Sequence, residues 1–159
     1  MKFNHLVEIN DPSNSLLDPL TRDQLWHGLV LRAEAPTLFV PWLDSCKLMQ
    51  RSSHAVAREL RYGTLLVCDN VTFISQQSVH YAVPQQNDIP ASTLVMSIEE
   101  PQPGVLFVRF EYDDGSGDET SVETFYNDFR RSAYEQSDID TIRIIRQLAR
   151  QGRLDTLPT

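Results

Sequence analysis

Between Ser92 and Asp114 two runs of alternating apolar residues flank a proline-rich turn, and no other pattern in the chain restricts the fold as strongly. Leu94, Met96 and Ile98 alternate with Thr93, Val95, Ser97 and Glu99. After Pro101-Gln102-Pro103-Gly104, Leu106, Val108, Phe110 and Tyr112 alternate with Phe107, Arg109 and Glu111. A side-chain period of two on both sides of a Pro/Gly turn predicts two neighbouring antiparallel strands with one buried face. A slip of one residue would turn every apolar side chain to solvent. The inner face is therefore predicted to carry Leu94, Met96, Ile98, Leu106, Val108, Phe110 and Tyr112.

The same period recurs elsewhere. Phe3, His5, Val7 and Ile9 mark a first strand that ends at Asp11-Pro12. Cys46 and Leu48 open another; Val56, Arg58, Leu60 and Tyr62 form one face of the next, with Gly63 at the turn. Leu65, Val67, Val71 and Phe73, then Val79, Tyr81 and Val83, continue the meander, and Cys68-Asp69-Asn70 breaks the alternation in a way that predicts a bulge. Helical spacing replaces it in two places. Thr21 and Gln24 have the spacing of a capping box ahead of Leu25, Trp26, Leu29, Val30 and Ala33, which predicts a helix over 22–34. Pro36 suits the start of a short second helix that Pro41 ends.

Thr120 and Glu123 suggest a second capping box and a long helix from about Ser121 to Gln151, closed by Gly152. Val122, Tyr126, Phe129 and Ala133 share one side of it, while Ile142, Ile145 and Ala149 point well around the cylinder. Either the helix bends between Gln136 and Asp140, or its halves bury against different partners.

Strand, two short helices, six strands and a long helix make an α+β order. Seven strands spaced about 4.8 Å apart span roughly 29 Å, whereas one helix with its side chains is about 10 Å across. The sheet must curl around the helix, and a pocket between them is expected. Its predicted lining is Tyr62, Phe73, Tyr81, Met96, Phe110, Tyr126 and Phe129. Arg58 and Asp69 fall in the inward phase; they are either polar pocket groups or, as the favoured reading, surface residues displaced by a bulge or sheet edge. Arg109 is expected outside, near Glu99 or Glu111. Trp26 and Trp42 can be read as a pocket rim, although core packing is the more common fate of such residues.

Composition excludes several function classes. The chain has 159 residues, enough for one domain over 1–159 with a core of its own. Its 14 Lys plus Arg against 22 Asp plus Glu give a net charge of −8, which opposes nucleic acid and anionic membrane surfaces. No apolar run approaches membrane-spanning length, and the first ten residues lack the apolar core of a signal peptide. Cys46 and Cys68 stand 22 positions apart with no metal-ligand spacing, so two reduced thiols and a cytoplasmic location are expected. His5, His27, His54 and His80 form no ligand spacing, Gly115-Ser116-Gly117 is no phosphate loop, and the acidic run from Asp113 to Glu119 lacks the ligand order of a calcium loop. Neither a metal nor a cofactor is expected.

The segments His5-Leu6-Val7-Glu8-Ile9-Asn10-Asp11, Leu25-Trp26-His27-Gly28-Leu29-Val30, Ile98-Glu99-Glu100-Pro101 and Leu106-Phe107-Val108-Arg109-Phe110 resemble a small START-like family, together with Asp138 to Arg146. It is the AtaL-like branch of the START/birch-pollen-allergen (SRPBCC) superfamily, which also holds polyketide cyclases. The resemblance covers nearly the whole chain and implies the helix-grip fold: a seven-stranded antiparallel sheet around a long C-terminal helix, with two short helices after the first strand. It supplies no catalytic motif. The leading functional expectation is binding of a small apolar or aromatic metabolite in the cavity. The alternatives are a cyclase or aromatase working in the same cavity, and a ligand-free interaction module with a filled core. Fold alone does not choose among them.

Overall fold

A computed structural model describes residues 1–115 and 121–155. Seven strands, β1 (Lys2–Asn10), β2 (Ser45–Arg51), β3 (Ala55–Tyr62), β4 (Leu65–Ile74), β5 (Ser78–Val83), β6 (Ser92–Gln102) and β7 (Val105–Asp113), form one antiparallel sheet in the order β1-β7-β6-β5-β4-β3-β2. Helix α1 (Arg22–Glu34) and a 3-10 turn (Pro36–Leu38) follow β1, and helix α2 (Ser121–Arg150) follows β7. This is the expected helix-grip architecture.

Local chemistry sets the elements where the sequence placed them. Thr21 Oγ1 accepts from Gln24 N at 3.0 Å and Gln24 Oε1 accepts from Thr21 N at 2.9 Å, closing the capping box that starts α1. Asn10 pins the loop between β1 and α1 by bonding both backbone groups of Leu20. The hairpin β6–β7 keeps its register from Thr93↔Asp113 to Glu99↔Phe107 and turns through Gly104 at φ 83°, a left-handed conformation glycine adopts without steric penalty. Met96, Ile98, Leu106, Val108 and Phe110 are buried, whereas Glu111 is exposed and Arg109 pairs with Glu99. The register predicted for this hairpin is correct.

Two expectations need correction. No bulge interrupts 68–70: β3 and β4 pair without a shift from Ala55↔Thr72 to Tyr62↔Leu65, which puts Arg58 directly opposite Asp69. Next, α2 is one continuous helix, and the predicted helical face is wrong in its first half. Phe129 (70% exposed) and Tyr126 (63%) lie outside with Ala133, while Asn127, Asp138, Thr141, Ile142, Ile145 and Leu148 are buried. The inward stripe is polar in that half, so following apolar residues leads to the wrong side. Trp26 takes the more common of its two expected places, in the core and edge-on to Phe73 at 6.5 Å, while Trp42 is exposed. The second capping box lies outside the described residues at Thr120.

The interior divides along the strand direction. At one end Ile9, Leu25, Leu29, Val56, Val71, Val79, Ile98, Leu106 and Ile145 form a closed core. Here α1 meets α2 at Gly28, where an added Cβ would lie 2.7 Å from Ile145 Cγ2, so the small residue permits the close crossing. Arg146 ties α2 to the same end through Ile9 O (2.6 Å) and Asp18 O (2.7 Å). The opposite end is open.

Candidate functional site

The open end is formed by the C-terminal ends of β3, β5 and β7 and the N-terminal ends of β4 and β6, because antiparallel order brings these together. Between them, the last turn of α1 and the first half of α2 lies a partly open cavity of about 420 Å³. Its apolar wall includes Leu60, Val67, Val83 and Leu94, with Pro36, Val40 and Leu43 contributed by the segment after α1. Tyr62, Tyr81, Tyr112 and Tyr134 add amphipathic surface.

Of the residues predicted to line a pocket, Tyr62 and Tyr81 do so, as do the polar candidates Arg58 and Asp69. Met96 and Phe110 face inward but are buried completely one step along the strand, in the packed core. Phe73 packs on Trp26 away from this cavity, and Tyr126 and Phe129 lie on the outside of α2. For the three strand residues, phase gives the face but not where along the strand the packing stops; for Tyr126 and Phe129 the helical face itself was inverted.

Arg58 and Asp69 are only 5% and 4% exposed, yet neither is unpaired. Arg58 Nε donates to Asp69 Oδ1 at 2.8 Å and Nη2 to Oδ2 at 2.6 Å, a bidentate pair across the β3–β4 ladder. Its Nη1 donates to Ala33 O at 2.8 Å, satisfying a carbonyl in the last turn of α1 that has no intrahelical partner. The arginine is thus both a neutralised charge and a cap at the negative end of the helix dipole. Asp69 outweighs the burial that would otherwise lower the guanidinium's proton affinity, and the Arg58 pKa rises.

Tyr81 sits between two guanidiniums, with Arg58 Cζ 5.1 Å and Arg32 Cζ 5.2 Å from its ring centroid, both in cation–π range. Its hydroxyl is buried; Arg32 lies close enough to donate to its oxygen, and nothing among the described residues accepts its proton. Arg32 lines the cavity, half-buried, and its Nε donates to Thr141 Oγ1 at 3.3 Å.

A second polar group stands beside the cavity. Asp138, fully buried on α2, accepts from the Tyr112 hydroxyl at 2.7 and 2.8 Å and from His5 Nε2 at 2.7 Å. Burial pushes the Asp138 carboxyl up from the usual range, with Tyr112, His5 and Arg32 opposing that shift. Burial, followed by the neighbouring carboxylate, raises the Tyr112 phenol strongly. Tyr134 stacks on Tyr112 at 4.1 Å, and His5 on Phe110 and Phe3, each at 5.5 Å. Sequence reading assigned no role to Arg32, His5 or Asp138. His5 is in phase with Val7 and Ile9, and Asp138 is spaced four and seven residues from Ile142 and Ile145, so both signals were present in the pattern.

Among the described residues no cluster of His, Cys, Asp and Glu has the arrangement of a metal site. No helix there is long and apolar enough to cross a membrane.

Comparison with solved structures gives the fold a wide set of relatives. The di-domain aromatase/cyclase StfQ of the steffimycin biosynthetic pathway superposes with a TM-score of 0.65 at 12% identity, over 94% of this chain and 51% of that one. The chain therefore spans about half of that protein. The Zhui aromatase/cyclase of Streptomyces sp. R1128 gives 0.58 at 8% identity over 91% and 90% of the two chains. A START superfamily protein from Mycobacterium smegmatis gives 0.60 at 11% identity over 92% and 98%. No curated protein matches by sequence. The family described as acetylaranotin biosynthesis cluster protein L, AtaL, matches residues 7–152. The sheet, the gripped helix and that match over most of the chain agree: the fold is the helix-grip fold, and the protein belongs to the AtaL family.

Proposed function

We propose that this protein binds a small molecule with a largely apolar or aromatic body in the cavity at the open end of its sheet. The observation that carries the reading is the cavity itself: about 420 Å³, with apolar walls and a few fixed polar groups, in a chain whose other end is packed solid. That size falls within the roughly 300–1,000 Å³ typical of small-molecule sites. A ligand-free interaction module would have little reason to keep such a volume open, since unfilled apolar space forfeits packing contacts. The net charge of −8 opposes nucleic acid as a partner. Free Cys46 and Cys68 accord with a cytoplasmic location.

Native mass spectrometry of the protein as purified tests the reading, followed by thermal melts against a panel of aromatic compounds. A retained small molecule, or melts that rise with compound concentration as mass action requires, is expected. Leu94→Trp, which projects a large ring into the cavity, should abolish the rise. If the wild-type melt responds to none of the panel and no molecule is retained, the proposal fails.

One observation favours a second reading, a cyclase- or aromatase-like enzyme. Tyr112, on the cavity wall, shares a buried carboxylate with His5, an arrangement able to hold and pass a proton. Recovery of a bound compound in altered form after incubation with the enzyme, and unaltered after incubation with Asp138→Asn, would select it.

A further inference from the structure

We infer that the cavity's ligand presents an anionic or strongly accepting oxygen (a carboxylate, phenolate or enolate) to Arg32, with the Tyr81 hydroxyl as a second donor. The inference rests on the ligand-binding reading above and narrows it to a chemical class.

The two arginines facing Tyr81 differ in how fully they are satisfied. Arg58 spends three of its N–H groups on Asp69 and Ala33, and its charge is matched by a carboxylate in bidentate contact. Arg32 forms no salt bridge among the described residues, and its hydrogen-bonding neighbours are neutral hydroxyls, Thr141 at 3.3 Å and the nearby Tyr81 oxygen. A guanidinium carries five donors and does not lose its proton. The carboxylate that could have served it, Asp138, is already taken by Tyr112 and His5. Arg32 is thus a half-buried cation on the cavity wall with charge and donors to spare.

Tyr81 gives the independent observation. Its hydroxyl is buried, with Arg32 close enough to donate to its oxygen but no acceptor for its proton among the described residues, and Tyr81 itself is 6% exposed. A phenol needs an acceptor for its proton, and both flanking groups are guanidiniums, which only donate. Neither neighbour can supply what the hydroxyl lacks. An oxygen entering from the cavity supplies it, and the same oxygen is what Arg32 lacks. Two unmet needs of one kind on one wall point to one ligand atom. The remaining walls, Leu60, Val67, Val83 and Leu94, suit an apolar body attached to that oxygen. In a protein of net charge −8, preference for an anion has to come from such a local arrangement, since the overall field repels it.

Two fluorescent probes of similar aromatic body test this: anilinonaphthalene sulfonate, an anion, and N-phenylnaphthylamine, which is neutral. The wild type should bind both at one site per chain, the anion more tightly. Arg32→Gln should weaken the anion about tenfold or more while leaving the neutral probe within about twofold, as loss of a charge-assisted hydrogen bond implies. Arg32→Lys, which keeps the charge, should recover part of the preference. Tyr81→Phe removes a hydroxyl whose proton has no acceptor among the described residues, so it should fold normally and still weaken the anion severalfold; it decides the matter if the Arg32 variants fail to fold. Equal binding of both probes by the wild type, or an anion preference that survives both Arg32→Gln and Tyr81→Phe, overturns the anion subsite and leaves the cavity reading intact. Failure of the wild type to bind either probe overturns both.

Discussion

The two ends of the sheet are built from the same seven strands by opposite rules. At the closed end, inward positions are aliphatic or aromatic and nearly all fully buried: Ile9, Leu29, Val79, Met96, Val108, Phe110, Ile145. At the open end, two or four residues along the same strands and on the same face, inward positions become Arg58, Asp69, Tyr81 and Tyr112, and α2 adds Tyr134 and Asp138 in place of Ile142 and Ile145. The closed end gains stability from area removed from water and from packing. The open end forgoes part of that gain and is held by cross-strand ion pairing, stacked rings and a shared carboxylate. Stability and cavity are thus separated along one sheet, so a residue's distance along its strand predicts its role better than its residue type does.

The largest effects should come from breaking each end by its own rule. Phe110→Ala removes a fully buried ring from the closed end and should cost about 3–5 kcal/mol in urea unfolding, with the slope unchanged. Because Phe110 does not line the cavity, probe affinity measured well below the melt should hardly change. At the open end, Asp69→Ala strands the buried Arg58 charge and should cost a similar ~3–5 kcal/mol. The two losses differ in how they can be repaired. Replacing the pair together, Arg58→Met with Asp69→Leu, should recover most of the loss, because the penalty comes from an uncompensated charge rather than from missing volume. A double variant no better than Asp69→Ala alone would show that the Arg58 bond to Ala33 O, and not charge pairing, holds that end together.

A smaller effect distinguishes the ends by pH. Burial raises the Asp138 pKa in the folded protein above its ordinary value, against the opposing pull of Tyr112, His5 and Arg32. With a raised folded pKa, the native state binds the proton more tightly than the unfolded chain does. This contribution is fully present below the ordinary carboxylate pKa and is lost as pH rises through the folded one. Asp138→Asn should therefore flatten the dependence of unfolding free energy on pH in that acid window. Phe110→Ala, with no titrating group, should lower the curve without changing its shape. Unfolding midpoints across the window check both, and an Asp138→Asn curve parallel to wild type would remove Asp138 as the source.

How far the sequence reveals these two ends depends on which force fixed each element. The β6–β7 hairpin was legible because hydrophobic alternation and a Pro/Gly turn constrain the same register, and the inner face from Leu94 to Tyr112 follows from them. The capping box at Thr21 is local chemistry and was equally clear. Arg58 and Asp69 were visible as inward-phase charges, but their partnership depends on the β3–β4 register, which places position 58 opposite 69. Within one strand each looks like an unpaired buried charge, for which a bulge is the cheaper account. The polar half of α2 could not be found by hydrophobic periodicity at all. There Asn127 and Asp138 face in while Phe125, Tyr126 and Phe129 face out.

The smallest predicted effect tests that inverted half of α2. On the sequence pattern, Ala133 shares a face with Phe129 and should point at the gripped sheet, where a tryptophan would fill the pocket. In the structure Ala133 is exposed, and the helix turns Tyr134 to the cavity instead. Ala133→Trp should therefore change stability by no more than about 0.5 kcal/mol, the usual range for surface substitutions, and leave probe binding at wild-type affinity. Leu94→Trp is its counterpart on the sheet. Leu94 is half-buried on the cavity wall, so a larger ring can extend into open volume instead of overpacking the core, and binding should be lost with little change in melting. The pair is informative because both variants introduce the same side chain, one on each side of the gripped helix. If Ala133→Trp blocks the probes and Leu94→Trp does not, the first half of α2 faces the sheet by the side that hydrophobic spacing suggested, and the polar inward stripe of Asn127, Tyr134 and Asp138 is wrong.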